Sequence, residues 1–317
     1  MQTYLKSKPA GIQLFLFIGL AFGIFSIFGY AGAKLLPLIT GIDFNTFQDV
    51  NKWSPNDPRI MLYIRGMLLL QFLGLFLIPV LLFGYFSDPK PTQYLGLRPP
   101  HHFVYFIAGT AALLVAIPLV EYVGMLNKKM VTGSDATQWM KTLEENASKQ
   151  IQFMLGKKSL SEYLLNLFFI AVFAAVGEEL FFRGVLQKLF IKLTRNPWTG
   201  IIITAILFSG FHLQFYGFLP RLLLGIVLGV LYWYSGSLWT AIVAHFFYDA
   251  FLITLIYANP HLIQDQDSTL IAPAQITLMA FISLALTLLL VYFMVKKSKT
   301  NYSSEYRNDD PPDALSF

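Results

Sequence analysis

The sequence predicts an all-α fold, a polytopic transmembrane helix bundle of about eight spans, and three observations predict it. Of 317 residues, 56% are hydrophobic and 16% aromatic. Only 13% are Asp, Glu, Lys or Arg, against about 25% in a soluble domain. The mean hydropathy of +0.57 is concentrated in runs of roughly 20 residues, the helix length that crosses about 30 Å of hydrocarbon. Such spans must be helical, because an open strand leaves backbone groups unpaired in lipid. Basic residues outnumber acidic ones 23 to 18, a net charge of +5. They flank the apolar runs, as the positive-inside bias places them, so the excess implies a lipid bilayer and no nucleic-acid partner. With no cysteine, disulfides and thiolate metal sites are excluded.

Lys6 and Lys8 precede a first span over residues 11–30. Ala31-Gly32-Ala33 resembles a signal-peptide cleavage site, but the apolar run exceeds the roughly 7–15 residues of a signal core, so it reads as a retained helix. Further spans are expected at 60–85, 102–126, 161–190, 198–216, 218–234, 238–258 and 274–295. Charge, Pro or Gly bounds each one, as at Asp88-Pro89-Lys90-Pro91, Arg98-Pro99-Pro100, Asn196-Pro197 and Asn259-Pro260. Lys6, Lys8, Lys188, Lys192, Arg195, Lys296, Lys297 and Lys299 fall on one side of an eight-span layout, which predicts cytoplasmic termini. The connection 127–160 opposes that bias with Lys128, Lys129, Lys141, Lys149, Lys157 and Lys158. It also mixes charge with Trp139, Met140, Leu143, Ile151, Phe153, Met154 and Leu155, the pattern of a helix lying in the membrane interface to cap the bundle or gate entry. Residues 298–317, with Ser303-Ser304, Asp309-Asp310 and Pro311-Pro312, lack a core pattern and read as a disordered cytoplasmic tail. Arg65 and Glu121 fall near span ends and are expected to snorkel.

Most charge lies in loops, so the residues that do not are informative. The fourth span contains Gly177-Glu178-Glu179-Leu-Phe-Phe-Arg183-Gly184, and charged groups at that depth are costly unless they face protein or a wet cavity. Glu179 and Arg183 are four apart, with the acid N-terminal to the base, the favourable order for a helical pair. Glu178 points about 100° away and has no arginine on its own stripe, so the two glutamates are expected to have different jobs. The fifth span contributes Phe208-Ser-Gly-Phe-His212. The seventh carries His245-Phe-Phe-Tyr-Asp249, a nitrogen and a carboxylate on one face, suited to metal ligation or to a hydrogen-bonded pair. One intramembrane histidine, or one Glu/Arg pair, is ordinary interhelical glue. Six ionisable side chains on three helices, with few other partners in reach, point instead to a chemical or transport site. Gly225, Gly229 and the Ser235-Gly236-Ser237-Leu238-Trp239 turn are expected to bring the sixth and seventh spans close to their neighbours. Gly177, Gly184, Gly210 and Gly217 would let helices open or approach near the polar positions.

In this order and spacing, Glu178-Glu179-x-x-x-Arg183, Phe208-x-x-x-His212 and His245-x-x-x-Asp249 resemble the CAAX-protease and bacteriocin-processing family of intramembrane proteases. That family includes the Ras-converting CAAX endopeptidases and bacterial immunity-type proteins. The resemblance covers residues 160–258, including Gly236-Ser-Leu-Trp239, with Leu95-Gly-Leu-Arg98 a weaker match outside it. It implies four parts: N-terminal helices and the interface segment (1–159), a catalytic core (160–258), a last connection and span (259–297), and the tail (298–317). It also implies an integral protein of a bacterial-type cell membrane that cleaves a membrane-associated, CAAX-type prenylated or other tethered, peptide substrate.

By the same resemblance Glu178 activates the attacking water, and His212 positions it and shuttles a proton. Glu179 and Arg183 fix the helix and the base, and His245 with the last motif residue stabilises the oxyanion. Ras-converting members usually have Asn where this chain has Asp249, and an ionised Asp cannot donate to an oxyanion. Asp249 is therefore protonated, or orients His245, or ligates a metal. Glu178, His212, His245 and Asp249 together make a plausible Zn²⁺ donor set, but the His-Glu-x-x-His pair that favours zinc is absent. The expectation is a Glu178-activated water with no obligatory cofactor, zinc being the alternative. A non-enzymatic immunity or scaffold factor, or an ion-coupled transporter, are the competing functions. Oligomeric state is not legible from the sequence.

Overall fold

The structure, a computed structural model, describes residues 4–54, 57–131, 136–156, 159–264 and 270–306. Among these the regular elements are all helical. The main helices are α1 (Ala10–Thr40), α2 (Pro58–Ser87), α3 (Val104–Val131), α4 (Ala136–Leu155), α5 (Leu160–Thr194), α6 (Pro197–Phe211), α7 (Phe218–Ser235), α8 (Leu238–Ala258), α9 (Pro273–Lys297) and α10 (Tyr302–Tyr306). A 3-10 turn, Phe215–Gly217, leads into α7. Among the described residues seven helices are long and apolar enough to cross a bilayer, namely α1, α2, α3, α5, α7 with its leading turn, α8 and α9.

The expected fifth span, 198–216, is corrected. Asn196 caps α6 by accepting from the amides of Trp198 and Thr199, and Pro197 opens it without wasting a donor. The helix then stops at Phe211 after 15 residues, about 22 Å. Leu213 turns the chain through a left-handed conformation (φ +53°). Arg221 holds the turn from below, donating to the Gln214 side chain at 2.7 Å and to its carbonyl at 2.6 Å. His212 thus caps the C-terminal end of this helix inside the bundle.

Packing explains which helices sit where. On α1 only a narrow face is buried, with Phe17 meeting Phe83 of α2 and Phe181 of α5, each at 5.0 Å between ring centres. Phe15, Phe22 and Leu38 on its other side stay exposed for lipid. The helix outruns the expected residue 30 to Thr40, where Gly41 closes it with its amide on the Pro37 carbonyl. By contrast α5 is central. It runs for 35 residues through two π-helical stretches, Leu167–Val172 and Glu179–Gln187, and every residue of the second is buried. A π stretch in place of α geometry re-aims the side chains that follow it, and such turns recur at functional sites.

Two further expectations change, those for Arg65 and for the tail. Arg65 does not snorkel: it donates to Glu162 at 2.6 Å and ties α2 to α5. Glu121 accepts from the Leu270 amide. The expected disordered tail does not begin at residue 298, because α10 docks on the bundle. Arg98 grips both Glu305 oxygens (2.7 and 2.8 Å), and Tyr306 is buried against Ile191, Ile201, Val230 and Trp233. Tyr302 and Tyr306, four apart, supply an apolar face that the polar composition of the tail conceals. Residues 307–317, with Asp309, Asp310, Pro311 and Pro312, lie outside the described residues, as do Lys157 and Lys158. The amphipathic α4 forms as expected. Its Lys141 and Lys149 are exposed, its Met154 is buried, and its Ile151 and Met154 face the interior cavity described next.

Candidate active site

A cavity of about 750 Å³ lies among α2, α4, α5, α6, α7 and α8. Its walls are mostly apolar, with Phe76, Phe173, Phe211, Leu224 and Leu252 among them, and Glu178, His212, His245 and Asp249 converge in it. Four of the six candidate residues therefore share one chamber. Glu179 and Arg183 do not reach it: both are wholly buried behind it.

The arrangement builds outward from Glu179. Its Oε1 accepts from Arg183 Nη1 at 2.7 Å, the expected i,i+4 pair, and also from His245 Nδ1 at 3.0 Å on α8. Arg183 further donates to the Gly225 carbonyl of α7 at 3.0 Å, and its guanidinium stacks 4.5 Å from the centre of the Phe208 ring on α6. One buried acid and one buried base thereby connect four helices. A buried ion pair is costly to desolvate but costlier to break, by about 3–5 kcal/mol when one partner is removed, so the pair holds these helices in one arrangement.

The same stripe continues one turn on, where Gln187 donates to the Gly229 carbonyl at 3.0 Å. A Cβ at Gly229 would lie 2.7 Å from Gln187 Oε1 and 2.9 Å from Ile201. Gly225 and Gly229 of α7 thus meet Arg183 and Gln187 with bare backbone. Gly236, expected at a tight turn, is left-handed (φ +68°), and a side chain there would strike His101. Gly177 packs on Phe72 and Phe76 of α2, while Gly210 meets nothing and has no packing role.

Hydrogen-bond partners fix the imidazole tautomers. His212 Nδ1–H donates to the Phe208 carbonyl at 2.9 Å, so Nε2 points into the cavity, 3.8 Å from Glu178 Oε1. His245 Nδ1–H is committed to Glu179, so its Nε2 faces Asp249 Oδ2 at 3.4 Å. A bare ring nitrogen and an ionised carboxylate would repel at that distance. A proton on either partner would join the two and place a donor beside the cavity.

The four cavity-facing residues are of the types zinc takes, and both imidazoles have the outer hydrogen bond typical of metal-bound histidine. They are arranged as two separate pairs, however, and among the described residues no three His, Asp or Glu side chains are gathered so as to hold an ion. This arrangement does not fit a metal centre.

Arg221 and Gln214 also line the cavity, and sequence reasoning passed over both. The signal was present: Arg221 is an ionisable residue within an apolar span, which by itself marks a functional candidate.

No curated protein and no solved structure matches the chain. Residues 160–251, which contain all six polar side chains, match the family model described as Type II CAAX prenyl endopeptidase Rce1-like, so it is to that family that the polar core of this chain is similar.

Proposed function

We propose that the protein is an intramembrane endopeptidase that hydrolyses a peptide bond of a membrane-associated substrate with water activated by Glu178. The observation that carries this reading is the 3.8 Å gap between Glu178 Oε1 and His212 Nε2. It is too long for a direct hydrogen bond and suited to one water accepted by both groups. In the proposed reaction Glu178 takes a proton from that water as the oxygen attacks the carbonyl carbon, with the lone pair of His212 Nε2 orienting it. The carbonyl electrons move onto oxygen, and the proton held by His245 and Asp249 stabilises the oxyanion. Collapse breaks the C–N bond, and the proton first taken by Glu178 passes to the leaving nitrogen. Glu179 and Arg183 are positioning residues that hold His245 and the Glu178 helix. No step requires a metal ion. The largely apolar walls suit a lipidated or hydrophobic peptide segment.

The test is cleavage of a membrane-tethered peptide by the purified protein in lipid. Glu178→Gln should lower kcat by roughly 10²–10⁴-fold, the usual contribution of a positioned base, with insertion and thermal stability kept. Undiminished turnover by the variant would remove Glu178 from this role. A parallel ion-flux measurement in liposomes tests the transporter reading, and absence of both activities would favour a scaffold.

A further inference from the structure

One cation in the cavity wall is not used by the proposed reaction. Arg59, Arg65, Arg98 and Arg183 each meet a carboxylate in a direct ion pair; among the described residues Arg221 meets none. Its Nη1 and Nη2 are both taken by Gln214, and its Nε is buried with no partner. The carboxylates of Glu144 and Glu178 act on it only from beyond ion-pair range. Arg221 also lies in the opening turns of α7, where the unpaired amides and the helix dipole already carry positive charge. A cation at that place, within an apolar span and with no described carboxylate in ion-pair contact, is unfavourable on both counts. An anion placed in the cavity would relieve both, and the guanidinium fork with the Gln214 contact holds the site in shape for a planar carboxylate.

We propose that Arg221, braced by Gln214, is an anion subsite that receives a carboxylate of the peptide substrate and so selects which peptides enter. The inference rests on the peptidase reading for the identity of the ligand. Arg221 and His212 line the same chamber, so the carboxylate docks on the His212 side of the scissile bond. It is supplied either by the C-terminus of the peptide or by an Asp or Glu side chain.

The experiment uses the full chain in phosphatidylcholine nanodiscs, in the Glu178→Gln background so that binding is read without turnover. Three fluorescent membrane-tethered peptides of one sequence are compared: free C-terminal carboxylate, C-terminal amide, and amide with one internal Asp. The carboxylate peptide should bind at least about tenfold tighter than the amide, as a charge-assisted hydrogen bond implies. Added Arg221→Gln should bring it to the amide level, and Arg221→Lys should leave an intermediate preference. Recovery of affinity by internal Asp identifies a side-chain carboxylate as the ligand, and no recovery identifies the C-terminus. Equal or undetectable binding of the carboxylate and amide peptides overturns the subsite without reference to any Arg221 variant. So does an equal loss of affinity for both peptides on Glu144→Gln and on Arg221→Gln, which would make Arg221 a partner of Glu144. Carboxylate preference without cleavage by the Glu178 protein would sink the peptidase reading and leave the subsite standing; cleavage without that preference does the reverse.

Discussion

Asp249 stands where the Ras-converting members of the family that the motifs resemble usually have Asn, and the geometry suggests how either residue can serve there. With His245 Nδ1 committed to Glu179 and Nε2 at 3.4 Å from Asp249, the proposed reaction has one proton shared between ring and carboxylate. An Asn amide offers an N–H in the same place. Asp249→Asn should therefore keep kcat within about tenfold of the parent, measured on the tethered peptide in lipid, since one neutral donor replaces another of similar strength. A loss beyond roughly 10²-fold, the contribution of a positioned acid or base, would show that the carboxylate itself does chemistry. The Glu179–Arg183 pair was legible from spacing alone. The bond from Glu179 to His245 was not, because it joins residues 66 apart in the chain and no local pattern encodes it.

Among the elements, α5 and α7 determine whether the site assembles. Arg183 and Gln187 of α5 reach the carbonyls of Gly225 and Gly229, so the small residues of α7 serve as acceptors as well as packing surface. Gly229→Ala should destabilise the protein by about 1–3 kcal/mol through overpacking, because the new methyl meets Gln187 and Ile201 inside contact distance. Reversible unfolding in mixed micelles measures it, and a change below about 0.5 kcal/mol, the scatter expected of surface substitutions, would show that the helices separate freely. The glycine spacing revealed close approach; which side chains met it required the fold. For α6 the sequence misled, since apolar composition continues past Phe211 while the backbone turns at Leu213.

At the scale of the molecule, a bundle with seven long apolar helices and the shorter α6 still returns the chain to the side where it began, if α6 crosses. The positive-inside bias then predicts that Lys6, Lys8, Lys296 and Lys297 face the cytoplasm. The chain has no cysteine, so single cysteines at Ser7 and Lys299 give a clean measurement in intact cells. Both should resist an impermeant maleimide until the cells are opened, and labelling of either one beforehand would refute this orientation. Membrane class, helical fold and the six polar candidates were all present in the sequence, because hydropathy, i,i+4 spacing and the cost of charge in lipid act locally along a chain. Tertiary structure alone separated the cavity-facing Glu178, His212, His245 and Asp249 from the buried Glu179 and Arg183, docked α10, and placed Arg221 in the wall. Those outcomes depend on which helix faces lie against one another in three dimensions, and that is a property of the packed bundle as a whole.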